Sequence, residues 1–325
     1  MNKSCHQLNV KVSIVIPAYN NEETLCATLD ALSNQTLPAF EIFVVDDGSD
    51  IEVQALLQTA YPAVNVIRHE QNSGVQNARN TGYNMVTGTY VLFLDADDIL
   101  FPEFLFEMAT VLEANKAAGA CIANFEKCYD LGSAQIAAEH TPIESQIQYL
   151  TVDSGLSYYL ENTGRFLPSF TMFRKTTLDD ISVQGVPFPP EVWGNEDFHL
   201  FIRLLAKYPI YVISNPLGIY YLRNNSLSRD QIGVWASRAV AMESLIELER
   251  SFPFSPRHLK LFERMRSSAQ RRHALLLSRN KQRQAALAIL KTELRRSLGI
   301  KTLVVFFMLI LRIPTRKRNF EGQEY

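Results

Sequence analysis

Several short stretches of the chain concentrate residue types able to hold a cation or a polar ligand. Asp95-Ala96-Asp97-Asp98 places three carboxylates in four residues, directly after the apolar run Tyr90–Leu94 (YVLFL). Carboxylates this close repel one another where a strand end lowers the local dielectric, and a bound divalent cation relieves the repulsion. Hard cations take oxygen ligands, and Mg2+ or Mn2+ uses one or two carboxylates together with substrate phosphates. Asp46-Asp47-Gly48-Ser49-Asp50 follows a second apolar run, and Pro17-Ala18-Tyr19-Asn20-Asn21-Glu22 begins at the end of a third. For the Asp46–Asp50 stretch a turn with helix capping is the plainer alternative, because Asp, Gly and Ser are all turn residues. A further acidic pair, Glu196-Asp197, sits within WGNED and precedes Phe198, Phe201, Ile202 and Leu205 at helical spacing. There a capping Asn195 and two acids in a first helical turn account for the position without excluding chemistry. His199 reads as a helix residue, since no second histidine lies at metal-binding spacing. Neither GxxxxGK[ST] nor GxGxxG occurs, so kinase, ATPase and dehydrogenase readings lack their phosphate cradles.

The elements that must position these residues alternate. Val12–Pro17, Glu41–Val45, Val64–Arg68 and Tyr90–Leu94 read as strands. Asn21–Gln35, with Leu25, Leu29 and Leu32 spaced four and three apart, reads as a helix, as do Glu52–Tyr61, Gly74–Met85 and Pro102–Ala117. Apolar strands alternating with helices predict an α/β fold, a mostly parallel sheet covered on both faces. Ligands of such sheets bind at the carboxyl ends of the strands, where the acidic stretches fall.

In this order and spacing, VSIVIPAYNNEETL, ALSNQTL, EIFVVDDGSD, NSGVQNARNTG and YVLFLDADD resemble the nucleotide-sugar half of the inverting family 2 glycosyltransferases of bacterial polysaccharide and lipopolysaccharide synthesis. The resemblance is strong over Val12 to about Ala118 and continues more weakly to Ser228 through FRKTTLDD, WGNEDFHLFIRL and YYLRNNSLS. It implies a GT-A fold, Rossmann-like, with residues 1–118 as the nucleotide-sugar half, 119–230 as the acceptor half and 231–325 as a basic helical extension. It also implies roles for particular residues. Pro17, Tyr19 and Glu22 line the nucleotide pocket. Asp47 accepts a hydrogen bond from the base, typically uracil, and Asp46 supports that loop. Arg79 helps hold the nucleotide end. Asp95 and Asp97 are the DXD carboxylates, Asp97 touching the metal (Mg2+ or Mn2+) and Asp95 lying nearer the ribose. Asp197 of the ED motif is the catalytic base with Glu196 behind it, and Trp193 could stack on a sugar face. Arg223 would suit a diphosphate, although the spacer from it to Ser226 and Ser228 is shorter than family members often have. The implied reaction transfers a hexose or N-acetylhexosamine from a nucleotide sugar to a saccharide or lipid-linked acceptor. The alternatives are a GT-A-like nucleotidyltransferase, which needs a glycine-rich N-terminal loop that VSIVIPAYNN is not, and a non-catalytic nucleotide-sugar-binding scaffold at a membrane.

Composition adds a polarity. The 325 residues are 47% apolar and 20% charged, which excludes a disordered or collagen-like chain. Four scattered cysteines, Cys5, Cys26, Cys121 and Cys128, form no CxxC pair, and no secretory signal is read at the start, so a reduced, cytoplasmic protein is expected. Met1–Ser255 carries 15 Lys and Arg against 30 Asp and Glu, whereas Pro256–Arg318 carries 17 against 2. A +15 segment beside a −15 body points to an anionic partner. Within it, Thr302–Leu311 (TLVVFFMLIL) is ten uncharged residues, too short to span a bilayer, which takes about 20. With Arg295, Arg296, Lys301, Arg312 and Arg316–Arg318 around it, the segment is expected either to lie in an anionic membrane surface on the cytoplasmic face or to be buried against the acidic body. No nucleic-acid motif surrounds it, and nucleic acid is not expected as a partner.

Overall fold

A computed structural model describes residues 9–129, 146–222 and 230–313. Arg223, Ser226, Ser228 and Arg316–Arg318 lie outside the described residues, as do residues 130–145. The chain divides into two compact units, one built from residues up to 190 together with 200–224, the other from 191–199 together with 225 onward.

The first unit holds the sheet. Its elements in order are β1 (Val12–Ala18), α1 (Glu22–Ser33), β2 (Glu41–Asp46), α2 (Val53–Leu57), β3 (Asn65–Arg68), α3 (Val75–Tyr83), β4 (Tyr90–Phe93), β5 (Ile99–Leu100), α4 (Phe104–Ala114), β6 (Ala120–Cys128), β7 (Ile147–Leu150), α5 (Val152–Glu161), β8 (Thr171–Arg174), α6 (Lys175–Ile181), α7 (Glu196–Lys207) and β9 (Ile210–Tyr221); the first turn of α7 belongs with the second unit. Sheet order is β3-β2-β1-β4-β8-β6-β9-β5, with β7 paired to β9. The four strands read from sequence are mutually parallel, Ile14 facing Ile42 on one side and Leu92 on the other. Beyond β4 the sheet is mixed, since β8 runs antiparallel to both β4 and β6 while β6 and β9 are parallel. Every residue of β1 and β4 is buried, as expected for strands covered on both faces. Val12, Ile14, Ile16, Leu25, Leu29, Val44, Leu92, Phe104, Met108, Phe170 and Met172 share one core.

The expected helices are present but shorter at their ends. The second stops at Leu57 rather than Tyr61, the chain continuing in turns over residues 58–60. The parallel order brings the carboxyl ends of β1, β2, β3 and β4 to one edge of the sheet, so residues 19–22, 46–50, 69–74 and 94–98 leave the sheet together.

The second unit is helical. Among the described residues it comprises α8 (Gln231–Glu247), α9 (Pro256–Arg279), α10 (Arg283–Arg296) and α11 (Ile300–Ile310). Ser255 caps α9 through a reciprocal box with His258, and Asp230 caps α8 by accepting from the Gly233 N–H. Ala274, Leu277, Ala286, Leu290 and Leu309 form its core. Arg266 and Glu293 make a buried two-bond ion pair between α9 and α10, and Arg296 reaches Glu243 and Glu263.

One close approach seats α3 on the sheet. A Cβ added at Gly82 would lie 2.3 Å from the Val15 Cγ1 of β1. Intrinsic propensity favours Ala over Gly in a helix by about 1 kcal/mol, whereas forcing a methyl into a packed core costs about 1–3 kcal/mol. The second effect is the larger at this contact. Gly82→Ala is expected to destabilise the protein in urea unfolding; an unchanged or higher midpoint would mean that α3 shifts off the sheet freely.

Candidate active site

The acidic loops at the sheet edge are tied to one another by their own side chains. Asn20, with left-handed backbone (φ 50°), donates its N–H to the Ser49 hydroxyl at 3.1 Å, and its side chain exchanges hydrogen bonds with Asp50. The Asp47 N–H donates to the Ala18 carbonyl at 2.8 Å, which fastens the end of β2 to the end of β1. Gly48 has a φ of 76°, and a Cβ there would stand 2.8 Å from the Asn72 backbone nitrogen. A side chain would therefore push the loop after β3 away from the loop after β2. Pro17 is buried in β1 opposite Val45, Tyr19 is 45% exposed just beyond it, and Glu22 is half-buried at the start of α1.

Asp46 is buried and ties its loop to β3. Its carboxylate accepts the N–H groups of Ser49 (2.9 Å) and Val53 (3.4 Å) and pairs with Arg68 at the end of β3. Burial works against the charge, but the Ser49 and Val53 amides, the Ser49 hydroxyl and Arg68 outweigh it and hold the carboxyl below its ordinary range. The turn and capping alternative is thus realised in Asp46. Asp47 is also buried, at 3% exposure. Its Oδ1 accepts from the Ser73 N–H (2.9 Å) and hydroxyl (2.8 Å) and lies 2.7 Å from His69 Nδ1; its Oδ2 accepts the Gly74 N–H at 2.8 Å. A carboxylate only accepts, so His69 Nδ1 carries the proton, and His69 Nε2 lies 2.9 Å from the Thr81 hydroxyl on α3. Asp47 therefore clamps the loop between β3 and α3.

The DADD stretch is organised by two further elements. Arg79, projecting from α3 and only 4% exposed, donates to Asp95 Oδ1 at 2.7 Å and lies over the Phe188 ring. The Asp95 N–H donates to the buried Ser169 hydroxyl at 3.0 Å. Asp97 is half-buried. Asp98 is fully buried; its Oδ1 accepts the Tyr221 N–H at the end of β9 (3.2 Å), and its Oδ2 has no hydrogen-bond partner among the described residues. Burial first, and then the charges of Asp97 and Asp95, push the Asp98 carboxyl well above the ordinary range. These acids are crowded beyond what Arg79 offsets, and an orphaned buried oxygen beside them fits the hard-cation chemistry of the sequence reading. No three His, Cys, Asp or Glu side chains converge as a complete metal cage among the described residues, so phosphate oxygens would have to complete the coordination of any cation here.

Glu196 and Asp197 belong to the second unit. Asp197 is half-buried and its Oδ1 accepts the Phe198 N–H at 2.6 Å; Glu196 is 7% exposed. Both acids open α7, where the helix dipole favours negative charge. The preceding turn is anchored to α8. The Asn195 amide donates to the Val234 carbonyl (3.1 Å), the Ser237 hydroxyl donates to the Trp193 carbonyl, and Gly194 takes the left-handed φ of 68°. The Trp193 ring is 44% exposed and the Arg238 guanidinium lies 3.8 Å from the centre of the Phe198 ring. His199 is fully buried, in keeping with a helix residue.

The structure adds Arg68, His69, Ser73 and Ser169 to the residues singled out from sequence. Arg68 and His69 stand at the end of β3, and the rule that chemistry follows each strand points to them as well.

An α/β sheet with acidic loops gathered at the ends of parallel strands, followed by C-terminal helices, defines the GT-A class. Residues 13–182, just over half of the chain, match Glycosyl transferase family 2, and the chain belongs to that family. The uncharacterized glycosyltransferase YibD of Escherichia coli K12 is 34% identical over 227 residues, covering 67% of this chain and 63% of that protein. The amylovoran biosynthesis glycosyltransferase AmsB of Erwinia amylovora is 33% identical over 117 residues, 34% of this chain and 38% of AmsB. The matches thus span less than two thirds of either relative. Among solved structures, S. aureus TarS 1–349 in complex with UDP-GlcNAc matches with a TM-score of 0.64 over 94% of this chain and 93% of that one, at 18% identity. At that identity the likeness concerns the fold.

The Asp46 tie gives a pH signature. Its folded pKa lies below the ordinary 3.8, so the stability it contributes is present above that value and is lost as pH falls through the folded pKa. Asp46→Asn should cost about 1–3 kcal/mol at pH 7. The difference from the unsubstituted protein should narrow below about pH 4. Urea titrations at pH 7 and pH 3 measure it; a gap of equal size at both would show that the carboxylate charge contributes nothing.

Proposed function

We propose that the protein is an inverting, metal-dependent glycosyltransferase. It moves a hexose or N-acetylhexosamine from a uridine diphosphate carrier to a saccharide or lipid-linked acceptor in cell-surface glycan synthesis, at the cytoplasmic face of the membrane. The observation that carries this reading is the convergence of Asp46, Asp47, Arg79, Asp95, Asp97 and Asp98 at one edge of a parallel sheet in a family 2 chain. The UDP-GlcNAc complex of TarS supports the donor class, and the amylovoran role of AmsB supports the acceptor class.

The loop held by Asp46 and Asp47 would receive the nucleoside, with Pro17, Tyr19 and Glu22 beside it. Arg79 fixes one oxygen of Asp95, and the other would lie nearer the ribose. Asp97, with Asp95 behind it, would hold Mg2+ or Mn2+, which when bound neutralises charge on the departing diphosphate. Transfer is a single in-line displacement. The acceptor oxygen bonds to the anomeric carbon as the bond from that carbon to the diphosphate oxygen breaks. The nucleoside diphosphate leaves with the bonding electron pair, and the acceptor proton passes to Asp197. Glu196, buried next to it, would stand behind the base. No covalent enzyme intermediate is required, so no activated serine or cysteine is needed.

Two measurements test the reading. With Asp97→Ala, calorimetry should find uridine diphosphate sugar binding with Mn2+ reduced to the level seen with chelator, while the melting temperature is preserved. Equal affinity of the unsubstituted protein with Mn2+ and with chelator would remove the metal role. Asp197→Asn should lower turnover by about 10²–10⁴-fold, the range for general-base catalysis, with donor affinity little changed. Turnover at the unsubstituted rate would leave Asp197 as a helix-start residue only.

A further inference from the structure

Helix α11 is apolar on two opposite faces, and the second unit uses only one of them. Thr302 and Leu309 are buried, and Val305 and Phe306 pack against Ala274, Leu277, Ala286 and Leu290 of α9 and α10. Arg271 donates to the Thr302 hydroxyl, and Arg283 donates to the Leu309 and Ile310 carbonyls at 2.7 and 2.6 Å, satisfying the open end of the helix. The helix is therefore docked. Yet Ile300, Val304, Phe307 and Leu311, spaced four, three and four apart, form a stripe exposed at 79%, 53%, 54% and 66%. Leu298, 80% exposed, extends it at one end, and exposed Lys301 and Arg312 flank it.

A continuous exposed apolar stripe marks an interaction surface, and charge decides between the available occupants. Residues 256–313 carry 14 Lys and Arg against two acids, Glu263 and Glu293. Both acids are already paired, Glu293 with Arg266 and Glu263 with Arg266 and Arg296. A second copy paired symmetrically through this face would bring two strongly cationic surfaces together, which self-repulsion opposes. An anionic lipid surface meets both needs, taking up the apolar stripe at the acyl boundary and attracting the cations at the headgroups. No helix among the described residues is long and apolar enough to cross a membrane. We propose that α11 lies in the plane of an anionic lipid surface, with Ile300, Val304, Phe307 and Leu311 inserted and Lys301 and Arg312 at headgroup level. The proposal rests on the membrane part of the reading above and not on its transfer chemistry.

Flotation of the full chain with vesicles tests it. The protein should float with vesicles of phosphatidylglycerol and phosphatidylcholine, less with phosphatidylcholine alone, and less in 1 M than in 0.1 M salt, where the Debye length is about 3 Å rather than about 10 Å. The double variant Val304→Ser, Phe307→Ser should lose about tenfold or more in vesicle partition, since membrane binding scales with buried apolar area. Its melting temperature and donor binding should be retained, because both side chains face away from the unit's core. Lys301→Glu with Arg312→Glu should abolish the preference for anionic vesicles. The proposal is overturned if the serine variant floats like the unsubstituted chain, or if neutral and anionic vesicles bind equally. It is also overturned if sedimentation shows a dimer that the serine variant dissociates while vesicles bind neither protein. Loss of flotation with intact sugar transfer, or loss of transfer with intact flotation, separates this proposal from the catalytic one.

Discussion

Negative charge at the end of a buried strand must be met by donors or cations, and the edge of this sheet is built around that requirement. Asp46 is held by two backbone amides and Arg68, Asp47 by Ser73, Gly74 and His69, and Asp95 by Arg79. Apart from the Ser49 amide, which lies in the same loop as Asp46, each partner comes from a different strand end or helix from the acid it meets. Parallel order makes them neighbours, because only strands running the same way release their loops on the same side. The loops that would close on a nucleotide are shaped by the carboxylates that would contact it.

Asp98 is the exception. It is as buried as Asp46 but lacks a full set of donors, and its neighbours are acids rather than arginines. Its Oδ2 is a buried oxygen without a hydrogen-bond partner among the described residues, as is the Glu196 Oε2 at the start of α7. That contrast within a few residues is more informative than the number of acids in the stretch.

The helical unit shows the opposite economy. Over residues 256–313 Lys and Arg outnumber acids 14 to two, yet the arginines facing inward are engaged with Glu243, Glu263 and Glu293, with the Thr302 hydroxyl and with carbonyls at the end of α11. Arg272 lies over the Trp235 ring. The net charge of the segment thus overstates what is available to a partner, and the part that remains lies beside an apolar helix face.

Much of the sheet and its acidic edge was legible in the sequence. Buried parallel strands must be almost wholly apolar, so Val12–Pro17 and Tyr90–Leu94 announced themselves, and the polar residues that interrupt them had to sit at strand ends. The choice among the acids was not legible. Whether Asp46 ties a loop, Asp47 clamps the next one or Asp98 stays orphaned depends on Arg68, Ser73 and Tyr221, which lie 22, 26 and 123 residues away in the chain. Composition likewise left Thr302–Leu311 open between burial and exposure, because a segment apolar on every side has no periodicity to tell its faces apart. Tertiary packing decided it. Once Thr302 and Leu309 seat on α9 and α10, helical geometry turns Val304 and Phe307 outward, and no local feature of the sequence encodes that division.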